Sequence, residues 1–194
     1  GYTPAPILPV PSVYSQLPFD QPYMKNTTIG MVSPLMRGFG LYGLNGQFYV
    51  TRLAVPMLKA SKGGSIINIA SNAALHGFPL RSAYAACKWA MIGLTKTWAM
   101  ELGTDGIRVN AICPGSVNGP RIEGVIERDA ASRGVSTDEI KTIYQRQSSM
   151  RLFVDAEDIA STAKFLASSA GSKISGQSLA VDGHTEGLTN WLES

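Results

Sequence analysis

Residues 65–70 (SIINIA) and 107–113 (IRVNAIC) are two short runs rich in branched side chains, and between them residues 82–102 are apolar on nearly every side. Branched side chains lose rotamer freedom in a helix and pack well on a pleated surface, so both runs read as strands. The first is apolar without strict alternation, which suits a strand buried on both faces. The intervening stretch, carrying Trp89, Met91, Ile92, Leu94, Trp98 and Met100, reads as a helix. A helix apolar all round needs more than one neighbour to cover it. Strand, helix and strand of this length form a βαβ unit, which crosses over right-handed and sets its strands parallel. The chain is therefore expected to be α/β.

In open parallel sheets ligands collect beyond the carboxyl ends of the strands. Ser71 directly follows the first strand, and Pro114 and Gly115 close the second. Tyr84 opens the helix and Lys88 follows four residues on, which places both on one helix face. An ammonium beside a phenol favours the phenolate, lowering its pKa toward the range useful for general acid–base work. Ser71 can then hydrogen-bond the oxygen whose proton is moving.

Ser71, Tyr84-x-x-x-Lys88 and the run RVNAICPG at 108–115 together resemble the catalytic half of a short-chain dehydrogenase/reductase, over about residues 44–187. The resemblance implies a Rossmann-like parallel sheet with flanking helices, truncated at its N-terminal half. It implies an NAD- or NADP-dependent enzyme moving hydride between nicotinamide and a small alcohol/carbonyl substrate. In that reading Tyr84 exchanges the proton and Ser71 fixes the reacting oxygen. Lys88 tunes Tyr84, and both residues also border the cofactor, Lys88 through the nicotinamide ribose. The backbone around Pro114, Gly115 and Val117 receives the nicotinamide end. Residues 121–150 become the substrate cover.

In the family the 47–60 and 82–102 helices pack on their counterparts in another subunit, so a homodimer or homotetramer is implied. An inactive oligomerisation partner of full-length relatives is the alternative carried by the same helices. Two positions depart from the family pattern. Its helix asparagine corresponds to Gly43, with Asn45 two residues away and so about 200° round the helix. After Pro114-Gly115, Asn118 and Gly119 stand where a threonine commonly meets the carboxamide, which leaves Asn118 as a candidate donor.

The first 43 residues are different in kind. Seven of the eleven prolines fall within residues 1–34, and Asp20 is the only acid before Glu101. Proline at that density removes backbone donors, so residues 1–43 read as an irregular Pro/Gly-rich arm preceding the catalytic part, 44–194. The segment 27–32 suits a short strand, and Pro6-x-x-Pro9 fits a polyproline ligand. A formal G-x-G-x-x-G at 38–43 lacks both a preceding strand and a following acid, and reads as a glycine hinge.

Further signals place the remaining elements. Gly63-Gly64 ends the 47–60 helix, Ser136-x-x-Glu139 opens another, and residues 155–158 (DAED) start a third that runs to about residue 168. Residues 177–181 form a last strand. His76 lines the substrate mouth. His184 with Asp182 and Ser71 makes a formal hydrolytic set, but no G-x-S-x-G elbow accompanies it. The two histidines and two dispersed cysteines offer no metal cluster. Net charge is +3 and scattered, which gives no nucleic-acid footprint. No apolar run approaches the roughly 18 residues a membrane span requires, and no leader is visible. Cys87 and Cys113 read as buried, reduced thiols, consistent with the cytoplasm.

Overall fold

The computed structural model describes residues 44–79 and 81–187. The arm, the strand at 27–32, the polyproline ligand and the glycine hinge lie outside those residues. Within them the order is α1 (Gly46–Ala60), β1 (Gly64–Ile69), α2 (Ser82–Leu102), β2 (Ile107–Pro114), α3 (Pro120–Arg133), α4 (Thr137–Arg146), α5 (Ala156–Ala167) and β3 (Ser178–Val181). The strands lie in the order β1-β2-β3, and both pairings are parallel. Gly64 pairs with Ile107 and Ile69 with Ile112, while Pro114 pairs with Val181.

The turns explain the register. Lys62 (φ 58°) and Gly63 (φ 143°) turn the chain out of α1, and the Gly63 N–H donates to the Leu58 carbonyl at 3.0 Å. A Cβ on Gly63 would stand 2.9 Å from the Gly106 carbonyl oxygen, so the two strand entrances approach as only glycine allows. Gly106, at φ 72°, supplies the left-handed step that leads into β2. Ser136 opens α4 by accepting the Glu139 N–H at 3.2 Å, and Asp155 and Asp158 form a reciprocal capping box on α5.

β2 is the buried centre, and its alternation divides the layers. Ile107 and Val109 pack with Val55 of α1 and with Trp98 and Leu102 of α2. Ala111 and Cys113 continue that face against Met91 and Ile92. Arg108 points the other way and donates to the carbonyls of Leu166 (2.6 Å) and Gly171 (2.9 Å), at the C-terminal end of α5. A guanidinium there satisfies carbonyls the helix cannot use and complements its dipole. Asn110 likewise bonds the Ile174 carbonyl and accepts the Gln177 N–H, steering the chain into β3. Helices thus cover both faces of a parallel sheet, a Rossmann-like arrangement. α3 and α4 form their own cluster around Ile126, Ile140 and Tyr144.

Three expectations need correction. β1 is only partly covered, and Ile69 is 43% exposed. It has a strand partner on one side alone among the described residues, so its branched side chains are not enclosed. α2 buries Met91, Ile92, Thr95, Trp98 and Leu102, but Trp89 and Met100 of the same helix face outward. Cys113 is fully buried and free, whereas Cys87 is free but only half-buried. No described helix is long and apolar enough to cross a membrane.

Candidate active site at the carboxyl ends of the strands

Ser71 leaves β1 in extended conformation (φ −174°, ψ 156°) and caps the short turn Asn72–Ala74. Its Oγ accepts the Ala73 N–H at 3.2 Å, while its contact to Asn72 Oδ1 is a long 3.5 Å. The hydroxyl hydrogen is thus spent only on that long donation to Asn72 Oδ1, which an incoming oxygen at ordinary hydrogen-bond distance displaces. The side chain is buried, against a turn on which α2 packs.

Tyr84 and Lys88 stand in the first two turns of α2, both half-buried. Phe78, from the loop before the helix, meets the Tyr84 ring edge-on, with centroids 6.4 Å apart and planes at 76°. Lys88 Nζ lies 5.7 Å from the centroid of the Tyr84 ring and donates to the Ile69 carbonyl at 3.2 Å. Burial pushes the Lys88 ammonium below its usual pKa, and the positive charge of Arg121 adds to that effect. The tyrosine, the lysine and the end of β1 thus belong to one neighbourhood.

Cys113 completes its floor. The Ser71 backbone donates to the Cys113 sulfur, and the thiol also feels Lys88 and Asp182. Burial, the dominant cause, pushes the thiol up to about 11. Pro114 ends β2, and the Gly115 N–H donates to the Val181 carbonyl at 3.0 Å. A Cβ at Gly115 would lie 2.8 Å from Asp182 Cβ, so glycine is what lets these two strand ends close on each other. Val117 forms a parallel bridge with Val154, ahead of α3.

Other readings fall apart in space. The Asn118 side-chain amide donates to Asp155 Oδ1 at 2.5 Å, which ties it to the cap of α5. His184 pairs through Nδ1 with Ser149 Oγ at 2.6 Å, and its Nε2 lies 3.5 Å from Glu186. Asp182 Oδ1 accepts the His184 backbone N–H, so Ser71, His184 and Asp182 form no relay. His76 lies half-buried in the loop after the Asn72–Ala74 turn. Among the described residues no three His, Cys, Asp or Glu side chains converge on a metal position. Sequence reasoning read Cys113 as a buried thiol but not as a neighbour of Ser71, and it missed Arg121. Cys113 had a signal in its place at the end of β2; Arg121 had none, because its nearness to Lys88 is tertiary.

Comparison with known proteins agrees on one ancestry. A family model described as enoyl-(acyl carrier protein) reductase matches residues 42–186. D-beta-hydroxybutyrate dehydrogenase of Rhizobium meliloti (strain 1021) is 38% identical over 141 residues, covering 72% of this chain and 55% of that protein. The chain thus spans about half the length of such curated relatives. Among solved structures, 4-hydroxyisoleucine dehydrogenase complexed with NADH is 32% identical, with a TM-score of 0.58 over 73% of this chain and 55% of the other. L-sorbose reductase of Gluconobacter frateurii, complexed with NADPH and L-sorbose, is 25% identical, with a TM-score of 0.71 over 82% and 61%.

Proposed function

Since the chain belongs to the short-chain dehydrogenase/reductase family, whose members are NAD- or NADP-dependent oxidoreductases, we propose that its Ser71–Tyr84–Lys88 site interconverts an alcohol and a carbonyl. The observation that carries this reading is Lys88. A half-buried ammonium spends one donor on the Ile69 carbonyl, stands against the Tyr84 ring, and has no further hydrogen-bond acceptor among the described residues.

Those spare donors suit the hydroxyls of a nicotinamide ribose, and the strand end at Pro114, Gly115 and Val117 suits the nicotinamide itself. When bound, the cofactor supplies the hydride acceptor or donor. Tyr84 donates its phenolic proton to a carbonyl oxygen or takes the proton of an alcohol, and Lys88 stabilises the phenolate between turnovers. Ser71 turns its hydroxyl hydrogen from the long contact with Asn72 Oδ1 to the same oxygen and holds it in line. Burial of Ser71 and Cys113 keeps water from competing on the inner side.

Fluorescence titration of the chain with NADH and NADPH, followed by carbonyl-dependent oxidation of each, tests the proposal. Saturable binding with turnover supports it. A chain that binds neither dinucleotide and turns over no carbonyl is not an oxidoreductase in this form.

A second reading has its own observation. Val50, Leu53 and Met57 of α1 and Trp89 and Met100 of α2 are large, apolar and exposed. We propose that these faces join copies of the chain as a homodimer or homotetramer, and equally serve an inactive chain as an oligomerisation partner. Mixing with a full-length relative and looking for mixed oligomers by native mass spectrometry distinguishes the two roles.

A further inference from the structure

The loop 75–79 runs from the turn that Ser71 caps toward the helix that carries Tyr84, and it is anchored at both ends. Leu75 packs against the core cluster of Ala70, Ala74, Met91 and Ile92, and its N–H donates to the Asn72 carbonyl at 2.8 Å. The Phe78 carbonyl accepts the Arg81 N–H at 3.2 Å, across the step into α2. Pro79 follows Phe78, and the residue before a proline is held away from helical conformation. From this tethered position the half-buried Phe78 ring meets the Tyr84 ring, with centroids 6.4 Å apart and planes at 76°.

Tyr84 has need of such a neighbour. It is the third residue of α2, and Arg81 at the N-cap makes no side-chain hydrogen bond to the first turn. The ring is half-buried and belongs to none of the three apolar clusters of the described core. A helical tyrosine has two open χ1 wells and a broad χ2, so a contact from outside the helix has to choose among them. Lys88 Nζ, at 5.7 Å from the centroid, stands near the limit of about 6 Å for a cation–ring attraction. The contact with Phe78 lies well inside the range of a favourable edge-to-face pair, and a near-perpendicular neighbour resists a change of tilt. Of the two, Phe78 is the better placed to set the attitude of the ring.

We propose that Phe78 is a positioning residue: its ring fixes the tilt of the Tyr84 phenol, and with it the direction in which the proton is exchanged. Proton transfer needs the phenol oxygen within hydrogen-bond reach of the reacting oxygen, and small misplacements there are costly. The assignment rests on the dehydrogenase reading for the proton's destination, but the ring contact exists without turnover. In this role Phe78 acts through Tyr84 alone. The loop then couples the two side chains that handle the reacting oxygen, Ser71 before its start and Tyr84 past its end.

The test compares the full chain with Phe78→Leu, which keeps apolar bulk without a ring, and Phe78→Tyr, which keeps the ring. Phe78→Met, equally ringless, repeats each arm, and a thermal melt confirms that the variants fold. NMR of chain labelled on its tyrosine and phenylalanine rings comes first, with the Tyr84 signal identified by its loss in Tyr84→Phe. The unaltered chain shows cross-relaxation between the two rings, and Phe78→Leu shifts the Tyr84 signal by removing a ring current. Absent cross-relaxation in the unaltered chain, or a Tyr84 signal indifferent to Phe78→Leu, overturns the proposal. In the turnover assay Phe78→Leu lowers kcat about 2- to 12-fold, the worth of an edge-to-face pair. The KM values for NADH and for the carbonyl stay as they were, and Phe78→Tyr restores kcat. With Tyr84→Phe already in place, Phe78→Leu costs nothing further, because the phenol it positions is gone. An equal loss in both backgrounds, or a loss confined to KM, makes Phe78 a substrate or cofactor contact and overturns the proposal. Absent turnover in a chain whose rings are in contact leaves the positioning of Tyr84 standing, and it is the dehydrogenase reading that fails.

Discussion

Lys88 reaches back from α2 to donate a hydrogen bond to the Ile69 carbonyl at 3.2 Å, locking the helix that carries Tyr84 to the end of the strand that delivers Ser71. One amine thereby orients two elements, and its charge faces the Tyr84 ring at 5.7 Å.

Tyr84→Phe separates proton transfer from packing. Phenylalanine keeps the edge-on contact with Phe78 and the ring beneath Lys88, and loses only the phenol oxygen. Turnover falls by about 10²- to 10⁴-fold, the ordinary contribution of a positioned acid–base group. The melting temperature stays within a degree or two. Steady-state rates beside a thermal melt check this, and wild-type turnover in Tyr84→Phe would falsify the acid–base role.

Cys113 gives the fold an alkaline weakness. Burial raises its thiol from 9.0 to about 11 in the folded chain, whereas the unfolded chain ionises it near the ordinary value. A raised folded pKa means the folded state holds the proton more tightly. The associated stability is complete below about pH 9 and is lost as pH rises toward 11. At roughly 1.4 kcal/mol per pH unit, about 2–3 kcal/mol is at stake. Urea unfolding at pH 8, 9.5 and 11 should show a steeper decline for the wild type than for Cys113→Ala. Parallel declines would mean that Cys113 is not the group responsible.

Inside the α2–β1 seam, the Asn68 side-chain amide donates to Thr95 Oγ1 at 2.8 Å, and that hydroxyl donates on to the Met91 carbonyl at 2.9 Å. Both side chains are buried, so removing the acceptor leaves an orphan amide. Thr95→Val, similar in shape, costs about 1–3 kcal/mol, or roughly 2–12 °C in melting temperature for a chain of this size. Adding Asn68→Leu removes the orphan as well, so the double variant is more stable than the sum of the singles predicts. Strict additivity in chemical unfolding would show that the pair is uncoupled.

How far the sequence carried this reading differs from residue to residue. The βαβ unit was legible because branched residues crowd 65–70 and 107–113 while the longer run 82–102 is apolar nearly all round, and Gly63 and Gly106 mark its corners. Ser136 and Asp155 announced their helices because capping is local chemistry. The nearness of Arg121 to Lys88 was not legible, nor was that of Cys113 to Ser71, since each is made by strand ends meeting in space. Asn118 has a partner that was hidden for a related reason. An amide has two faces, and its partner Asp155 lies 37 residues on. The partial cover of β1 was also hidden, because a branched run encodes the capacity to be buried and not which neighbour does so.

The outward faces of α1 and α2 make the remaining prediction. Val50, Leu53 and Met57 recur at helical spacing on α1, and Leu53 is 73% exposed. On α2, Met100 is 85% exposed, in line with the exposed small residues Gly93 and Thr97. Exposed apolar side chains beside small residues let a second pair of helices approach closely and bury them. The exposed positions of Leu53 and Met100 leave little protomer packing for a substitution to disturb. Leu53→Glu with Met100→Glu places like charges on that surface, so multi-angle light scattering should record an oligomer for the wild type and a monomer for the double variant. Far-UV circular dichroism should be the same for both. A wild-type chain that is monomeric at micromolar concentration, or a double variant that assembles as before, would exclude these helices as the interface.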